Sequence, residues 1–549
     1  MVIRSVAGAL MGALLVVPTS VMAEEPARKW GSFLDIEGKV GTKRNLGEAT
    51  LFVPLLQDER TMLFGDVRFK MDDQNSHEGN FGLGVRRMMA AGWNAGFYGF
   101  YDRRHSPNDN MFNQLTFGAE ALGTHFDFRA NSYWPVGNTV QAVGQPSTGP
   151  TVGAVSGSTL QVITPAVLQR FEYALRGFDA EAGVRIPVLP VESPYQIRFY
   201  AGGFRFDEPT GVASVVSGPR LRLEFTDYDV PGLWNGTRFT VGAEWQTDEV
   251  RGSQFFAGLR LRVPLQAEPD RTKRTLQERR MTDPIVRDVD IVANTQTVAV
   301  TPAFTEQAVT ANGQAITAIS SATTSGTALP GAVAGAGSNS FVVLQGTFTT
   351  TASTNLQSGQ SLYGGGMVSI QTASGRTVMV SLPGATINGS VSGAASVNMG
   401  ASSTLSGMTI TNTQSSGLGG YGVRVNNVAD ATISNNMISV TETGANNTTA
   451  IVATGGVGTL TINNNSLSAT TTGGNFGSAF FLSTSSGTTT FSSNTVISTG
   501  GDTARAMWLG NGTIGTAGST GNVFQSGGCY LPGGVLTGQI SFTNGTTCP

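Results

Sequence analysis

The chain has 549 residues, of which 72 are glycine, 13% are charged and 8% are aromatic. This length and composition suit several β-rich domains better than one helical globule. Its 34 basic and 37 acidic residues nearly cancel, so no overall positive field attracts nucleic acid, and we expect no nucleic-acid partner.

The first 23 residues have the layout of a secretory signal peptide. Arg4 precedes an apolar run from Ala7 to Val17, and the small residue Ala23 that ends this region predicts cleavage before Glu24. An N-terminal membrane anchor is disfavoured, because about eleven apolar residues are too short to span roughly 30 Å of hydrocarbon as a helix. No later apolar run reaches about 18 residues, so any membrane insertion must use strands.

Residues 24–266 are predicted to form an outer-membrane barrel, because apolar and polar residues alternate in segments of about ten residues. In Phe255–Val263, for example, Leu259 and Leu261 alternate with Arg260 and Arg262. A soluble sandwich shows the same alternation, but these strands are longer than usual and their polar face carries both signs of charge. The residues predicted to face the lumen are Asp66, Arg68, Lys70, Asp127, Arg129, Arg198, Arg260 and Arg262.

Twelve strands are predicted, an even number as a closed bacterial barrel requires. This count takes Gln169–Ile186 as one long strand. The segment Val136–Ala166, rich in Gly, Thr, Ser and Pro, is interpreted as an extracellular loop because it is too long for a periplasmic turn. The predicted strands begin near Trp30, Glu48, Arg60, Glu78, Trp93, Asn110, His125, Gln169, Tyr195, Pro219, Leu233 and Gly252.

Five sequence segments occur in order along the chain: Asn80–Arg86, Gly92–Asn94 leading to Phe100–Asp102, Phe117–Glu120, Asn131–Trp134 and Asp283–Val292. Together they resemble the intimin and invasin family, the inverse autotransporters. The resemblance covers about residues 30–295 and implies a twelve-stranded barrel, assembled by the barrel-assembly machinery, in a type V secretion system. Well-known members of this family carry a periplasmic peptidoglycan-binding module and immunoglobulin-like domains, and neither is expected here.

The resemblance also implies that residues 267–340 are a linker that passes back through the pore. The residues that carry its motif are Asp283, Arg287, Asp290 and Ile291. The charged block Glu268–Asp290 is then a plug that pairs with lumen charges such as Asp66 and Asp127, or else a solvated periplasmic turn. Beyond Asp290 the linker has little charge, so it fits a lumen at small desolvation cost.

From residue 341 to the end, the chain carries six charged residues in 209 and shows a period of 28 to 29 residues. One strand recurs at Leu405, Ile433, Ile462 and Phe491, and a second recurs in phase at Val423, Ile451, Phe480 and Met507. Stacked coils bring such residues into inward columns, which predicts a right-handed parallel β-helix. The asparagines Asn436, Asn465 and Asn494 are expected to form a turn ladder rather than a sugar site.

The two cysteines, Cys529 and Cys548, lie in the last coil and are predicted to form a disulfide that caps it. A metal site would need further ligands, and the histidines lie hundreds of residues upstream. Gly359–Gly365 resembles the first coil of pectate-lyase-like solenoids. Catalysis on that fold needs clustered carboxylates, whereas Asp430, Glu442 and Asp502 fall on different phases of the repeat.

The sequence thus predicts an all-β protein without cofactor or metal: a barrel that anchors and exports a β-helical passenger, 341–549, for adhesion. It would reside in the outer membrane with the passenger extracellular, and it is not expected to be an enzyme. Its expected partners are outer-membrane lipid and an unknown protein or carbohydrate receptor, or a second copy through self-association. The alternatives are a polysaccharide-active enzyme displayed on a barrel, and a plain outer-membrane channel.

Overall fold

The computed structural model describes residues 29–265, 274–288, 290–415, 418–444, 446–472, 476–500, 503–515, 519–533 and 535–548. The predicted signal peptide lies outside the described residues. The chain divides into two units, one formed by residues up to Pro146 with Leu168–Val298, the other by Ser147–Val167 with Ala299–Pro549. None of the helices among these described residues is long and apolar enough to cross a membrane.

The first sixteen strands of the chain are β1 (Phe33–Gly41), β2 (Leu46–Gln57), β3 (Thr61–Asp72), β4 (His77–Met88), β5 (Asn94–His105), β6 (Met111–Leu122), β7 (Phe126–Val136), β8 (Val140–Ser147), β9 (Val152–Ser156), β10 (Thr159–Thr164), β11 (Val167–Ala174), β12 (Arg176–Arg185), β13 (Tyr195–Asp207), β14 (Val216–Asp227), β15 (Arg238–Asp248) and β16 (Gly252–Pro264). Twelve of these strands, all in the first unit, close into an antiparallel barrel in the order β1-β16-β15-β14-β13-β12-β7-β6-β5-β4-β3-β2. The predicted twelve-stranded antiparallel barrel is confirmed.

The barrel turns its apolar side chains outward and its charged side chains inward. In β16, Leu259 is 56% exposed whereas Arg262 is 2% exposed. The strand closes the barrel against β1, with Leu259 opposite Gly38 and Arg262 opposite Asp35. Because side chains alternate faces along a strand, one register serves both the hydrocarbon of a membrane and a polar lumen.

The eighth barrel strand is shorter than predicted, because residues 169–186 do not form one strand. The strand β12 begins at Arg176, and the residues before it form β11, which pairs with β8 and β17 (Ala293–Thr301) in a separate three-stranded sheet. The backbone N–H of Leu175 donates to Val292 O at 2.8 Å. The chain therefore leaves the barrel ladder at this point to pair with a segment far along the sequence, which no local pattern encodes.

The second unit is a parallel β-solenoid. The chain has two short α-helices: α1 (Leu276–Arg280) belongs to the first unit, and α2 (Leu329–Gly335) belongs to the solenoid unit. The remaining strands are β18 (Phe304–Val309), β19 (Thr317–Ser320), β20 (Phe341–Thr350), β21 (Thr354–Asn355), β22 (Ser361–Tyr363), β23 (Met367–Thr372), β24 (Thr377–Ser381), β25 (Ala385–Gly389), β26 (Ala395–Asn398), β27 (Ser403–Ser406), β28 (Thr409–Gln414), β29 (Gly420–Asn426), β30 (Asp430–Ser434), β31 (Met437–Glu442), β32 (Thr448–Asn463), β33 (Ser466–Thr471), β34 (Phe476–Ser492), β35 (Thr495–Thr499), β36 (Thr503–Leu509), β37 (Gly512–Ile514), β38 (Val523–Ser526), β39 (Cys529–Tyr530), β40 (Leu536–Thr537), β41 (Ile540–Ser541) and β42 (Thr547–Cys548).

Successive coils of the solenoid stack strand on strand in parallel register. The strands β25, β28, β31, β33, β35 and β38 form one face. The long strands β32 and β34 each run along two further faces. Ile433 lies opposite Ile462, and Ile462 opposite Phe491, and all three are fully buried. The second predicted column pairs in the same way, with Val423 opposite Ile451 and Phe480 opposite Met507, so both predicted columns are present in the solenoid core.

A ladder of buried asparagines joins the coils at one turn. The Oδ1 atoms of Asn465, Asn494 and Asn522 accept the backbone N–H of Asn436, Asn465 and Asn494, each at 2.9 Å. Their amide groups donate to backbone carbonyls of the preceding coil, such as Asn494 Nδ2 to Ile462 O at 2.9 Å. The ladder satisfies polar groups that burial would otherwise leave unpaired, which is the turn role predicted for these residues.

The solenoid unit begins earlier in the chain than the predicted boundary at residue 341. Strands β18 and β19 and helix α2, which fall within the predicted linker, belong to the second unit. Leu329 and Val333 of α2 are fully buried in the solenoid core. At the other end, a disulfide joins Cys529 to Cys548, whose Cα atoms are 5.8 Å apart.

Candidate functional site: the barrel lumen and the segment inside it

A short helix, α1, lies at the rim of the barrel formed by the β4–β5 and β6–β7 turns, where Gln277 donates to Met89 O at 2.9 Å and Arg280 donates to Gly123 O. Thr275 caps it, with the side chain of Glu278 closing the capping box. Trp30 Nε1 donates to Glu278 O at 2.9 Å, and Lys29 pairs with the Glu278 carboxylate at 2.7 Å. Burial raises the pKa of Glu278, but hydrogen bonds from Lys29 and the Thr275 backbone outweigh it and leave the pKa below its usual value.

The chain then runs along the inside of the barrel as residues 281–292, which we call the lumen segment; Val289 lies outside the described residues. Arg280, just before it, is held by the Asp127 carboxylate at 2.6 Å. The next contacts surround Asp283, which pairs with Arg280 and Arg238, both at 2.8 Å. Arg86 of β4 donates to the carbonyl of Asp283 at 2.6 Å. Charged groups of the barrel wall therefore bind both side chains and backbone of the segment.

Halfway along the lumen, the two neighbours Arg287 and Asp288 bind opposite parts of the wall. Arg287 donates to the Asp102 carboxylate at 2.8 Å, and Asp288 accepts from Arg220 at 2.9 Å. The backbone N–H of Asp288 also donates to the Tyr133 hydroxyl at 2.7 Å. All of these side chains are buried, so both charges of this pair of residues are compensated across the barrel.

The lumen segment ends at the opposite rim. Asp290 pairs with Arg44, in the β1–β2 turn, at 2.6 Å and with Arg104 at 3.0 Å. The N–H of Ile291 donates to Glu78, at the start of β4, at 2.8 Å. Turns β1–β2 and β4–β5 lie at opposite ends of an antiparallel barrel. The segment therefore threads the whole barrel.

The wall residues predicted from the alternation all lie on the inner face of the barrel. Two of them contact the lumen segment or the residue before it: Asp127 binds Arg280, and Arg262 donates to the carbonyl of Thr282 at 2.9 Å. The others pair within the wall, including the second carboxylate suggested as a plug contact, Asp66. The wall pairs are Asp66 with Arg68, Lys70 with Glu48, Arg129 with Glu181, Arg198 with Asp127, Arg260 with Glu37 and Arg262 with Asp35.

The four predicted linker residues, Asp283, Arg287, Asp290 and Ile291, all lie in the lumen. The sequence-based prediction missed most of the wall residues that bind the lumen segment. The signal was available, because each missed charge stands on the polar face of an alternating strand: Arg220 precedes Leu221, for example. The missed partners are Glu78, Arg86, Asp102, Arg104, Tyr133, Arg220 and Arg238.

Small polar cavities lie between the lumen segment and the wall. One of about 70 Å³ is lined by charged side chains that include Glu37, Arg68, Arg260 and Arg287, and another of about 30 Å³ lies beside Asp283. Cavities of this size and polarity hold a few water molecules. The chain's own residues thus occupy the path through the lumen from one rim to the other.

Comparison with known proteins bears on the barrel. The family model for the inverse autotransporter beta-domain matches residues 32–197, whereas no curated protein matches the chain. Among solved structures, a membrane protein from work on in-meso crystallization is 16% identical, with 49% of this chain and 100% of that one covered and a TM-score of 0.35. Omp33 of Acinetobacter baumannii is 10% identical, with 43% and 100% covered and a TM-score of 0.23.

Outer membrane phospholipase A of Escherichia coli is also 10% identical, with 44% of this chain and 94% of that chain covered and a TM-score of 0.25. These likenesses to solved structures are too low to support an argument about this chain. The family match and the barrel itself point to the outer membrane. Residues 32–197 therefore match the inverse autotransporter β-domain, and a β-solenoid follows the barrel in the chain.

Proposed function

We propose that this protein anchors itself in the outer membrane with its barrel and exports its own C-terminal solenoid through the lumen to the cell surface, where the solenoid serves adhesion. The observation that carries the export step is the lumen segment. It enters at one rim, leaves at the other, and is followed in the chain by the solenoid. A chain caught in this path is the expected product of an export that has run to completion.

A plain channel is the weaker candidate. A solute pore needs an open lumen, whereas the lumen segment runs through this one from rim to rim. Buried ion pairs also hold the segment along its length, and each would have to break before it could leave. We therefore interpret the charged wall as a binding surface for the segment rather than as a selectivity filter.

The adhesive role is supported by the surface of the solenoid. Its last 209 residues carry six charges, and one side near the C-terminal end bears an aromatic cluster. The Trp508 ring lies beside those of Phe476 and Tyr530, with ring centroids 4.2 and 4.5 Å away, and Arg505 lies 3.4 Å from the Tyr530 ring centroid. Half-buried aromatic rings beside an arginine are typical of binding surfaces for proteins and carbohydrates.

An enzymatic role receives no support from side chains in contact. Asp430 accepts the N–H of Thr459 at 2.8 Å, and Glu442 accepts that of Gly444 at 2.7 Å, so each carboxylate has a local structural role. Asp502 lies outside the described residues. We therefore propose that the solenoid binds a receptor, or a second copy of itself, without acting on it.

Export is tested by epitope accessibility on intact cells. One tag is inserted after Asn544, in the exposed turn of the last solenoid strands, and the matched control is inserted after Glu59, in the exposed β2–β3 turn. We expect an antibody to bind the first tag on intact cells and the second only after permeabilisation. If both tags become accessible only after permeabilisation, the solenoid is not exported.

A further inference from the structure

One hairpin of the solenoid unit comes from a barrel loop. Strands β9 and β10 lie in the sequence between barrel strands β7 and β12, yet they group with the second unit. In that unit β10 pairs antiparallel with β18, from Gln161 opposite Gln307 to Thr164 opposite Phe304. The loop predicted to be extracellular thus contributes two strands to the solenoid.

The hairpin also completes a hydrophobic core. Its residues Leu160 and Val162 are at most 1% exposed to solvent. They belong to a hydrophobic cluster that is separate from the main solenoid core. The hairpin packs closely against this cluster, because a Cβ atom added at Gly153 would lie only 3.2 Å from side-chain atoms of Leu160 and Val380. The other buried members of this cluster are Ala308, Ile316, Val343, Ile370, Val380 and Leu382. Without the hairpin, this cluster would lose one of its walls.

The position of the cluster in the solenoid gives the hairpin its role. A solenoid needs a cap at each end, because the terminal coil has no neighbour on one side. At the C-terminal end the Cys529–Cys548 disulfide lies in the last coil. At the N-terminal end, β10 adds to β18 and Val152 of β9 pairs with Ser381 of β24, which covers strand edges by β-augmentation.

We propose that this hairpin is the folding template of the exported solenoid: it captures the first passenger strand outside the cell, and the coils then stack from the N-terminal end onward. The inference rests on the proposed export. The strand β18 begins at Phe304, just after the lumen segment and β17, so it is the first solenoid strand to follow the lumen segment. Folding of a solenoid can begin at any coil. A hairpin edge that is already formed would make the N-terminal coil the one at which folding begins.

The template predicts that damage to the hairpin impairs the solenoid but not the barrel. We introduce Leu160→Asp with Val162→Asp, which places two charges in the cluster, and compare it with Ser156→Asp, which adds charge at the exposed turn of the same hairpin. We expect the double variant to show at least about tenfold faster cleavage of its displayed solenoid by protease, since cleavage follows the opening equilibrium. Ser156→Asp should match the wild type.

Heat-dependent migration in SDS reports the barrel in the same samples, because a closed strand ladder resists detergent until boiled. Suppose that the solenoid tag of the wild type is exposed on the cell surface, and that the solenoid of the double variant is displayed and resists protease as well as the wild type. The template proposal is then wrong, whereas the export proposal stands. If the solenoid tag of the wild type stays inside the cell, the export proposal itself is wrong. The two failures are therefore distinguishable.

A second measurement does not depend on a damaged hairpin. Ile163→Cys with Thr305→Cys places two thiols on directly opposed residues of β10 and β18, within reach of a disulfide. Ser156→Cys with Thr305→Cys is the control, because Ser156 lies at the turn of the hairpin, at the opposite end of β10 from Ile163, the residue that Thr305 faces. In a pulse-chase experiment, we expect the first pair to lose its free thiols before the C-terminal coils become protease-resistant. If the coils become resistant first, the hairpin is not the template.

Discussion

Side chains alternate between two faces along the strands of both the barrel and the solenoid, but the two units place their apolar residues on opposite sides. Apolar side chains point outward in the barrel and inward in the solenoid. The barrel exposes Leu259 and buries Arg262, whereas the solenoid buries Ile462 completely and leaves neutral Ser, Thr and Asn on much of its surface. The surroundings decide the assignment, because hydrocarbon covers the outside of the barrel and water covers the outside of the solenoid. The interior of the barrel therefore rests on ion pairs, and that of the solenoid on apolar columns and one asparagine ladder.

This difference predicts different responses to mutation. A buried charge that loses its partner is left uncompensated, so the lumen should be sensitive to single changes of charge. Each coil of the solenoid contacts only its neighbours, so its stability is close to a sum over coils and damage stays local. We therefore expect the largest losses of stability from changes of buried charge in the barrel and the smallest from single changes in the solenoid.

Removing one charge from the lumen segment should have the largest effect. Arg287→Met leaves the buried carboxylate of Asp102 without its guanidinium partner, which should lower the free energy of unfolding by about 3 to 5 kcal/mol. The matched control is Lys29→Met, because Lys29 is one-third exposed and pairs with Glu278 at the rim; it should cost about 1 kcal/mol or less. Urea unfolding of the purified protein in detergent measures the unfolding free energy of both variants. Equal losses would mean that the buried ion pairs of the lumen contribute no more to stability than a partly exposed pair at the rim.

Adding a charge to the lipid-facing side tests the assignment of the barrel faces. Leu259→Arg, near the middle of β16, should destabilise the inserted barrel by about 2 to 4 kcal/mol, and the penalty falls to about 0 to 1 kcal/mol near an interface. Leu265→Arg, just beyond the end of the same strand, is the depth control. Unfolding in lipid bilayers gives the two values; a larger loss at Leu265 than at Leu259 would contradict the depth assigned here.

The disulfide is predicted to stabilise the last coil. Replacing Cys529 and Cys548 by Ser opens a loop with a sequence separation of 19 residues, which corresponds to about 3 kcal/mol in the chain-entropy model. The effect should appear as protease cleavage confined to the C-terminal coils, with surface display and barrel migration retained. Unchanged protection would show that the cap lies elsewhere, whereas lost display would give the cysteines a part in export.

The asparagine ladder should contribute least per residue. Asn465→Ala removes the acceptor of the Asn436 N–H and a donor to Ile433 O, which should cost about 1 to 3 kcal/mol. Asn463, which is on the same turn and half-buried, supplies the control Asn463→Ala with a smaller loss. Hydrogen exchange of the Asn436 amide measures the local effect, and equal exchange in the two variants would rule out the ladder as a stabilising element.

Much of this architecture could be predicted from periodicity. Alternation over long strands predicted the barrel and its inward-facing arginines, because a lumen and a membrane impose opposite polarity on neighbouring residues. The 28–29-residue repeat predicted the stacked columns through Ile433, Ile462 and Phe491, because identical phases meet in a solenoid. Both signals are local and repeat along the chain, so they are readable without any tertiary information.

Other features depended on contacts between distant parts of the chain. The sequence by itself determined the two β architectures, the polar face of each barrel strand and the candidate cysteine pair. Only the tertiary structure decided that residues 281–292 bind specific wall charges, that Gln169 leaves the barrel ladder to pair elsewhere, and that Leu160 and Val162 complete the solenoid. The physical reason is that alternation specifies which face a side chain occupies, whereas the partner it meets there depends on segments more than a hundred residues away.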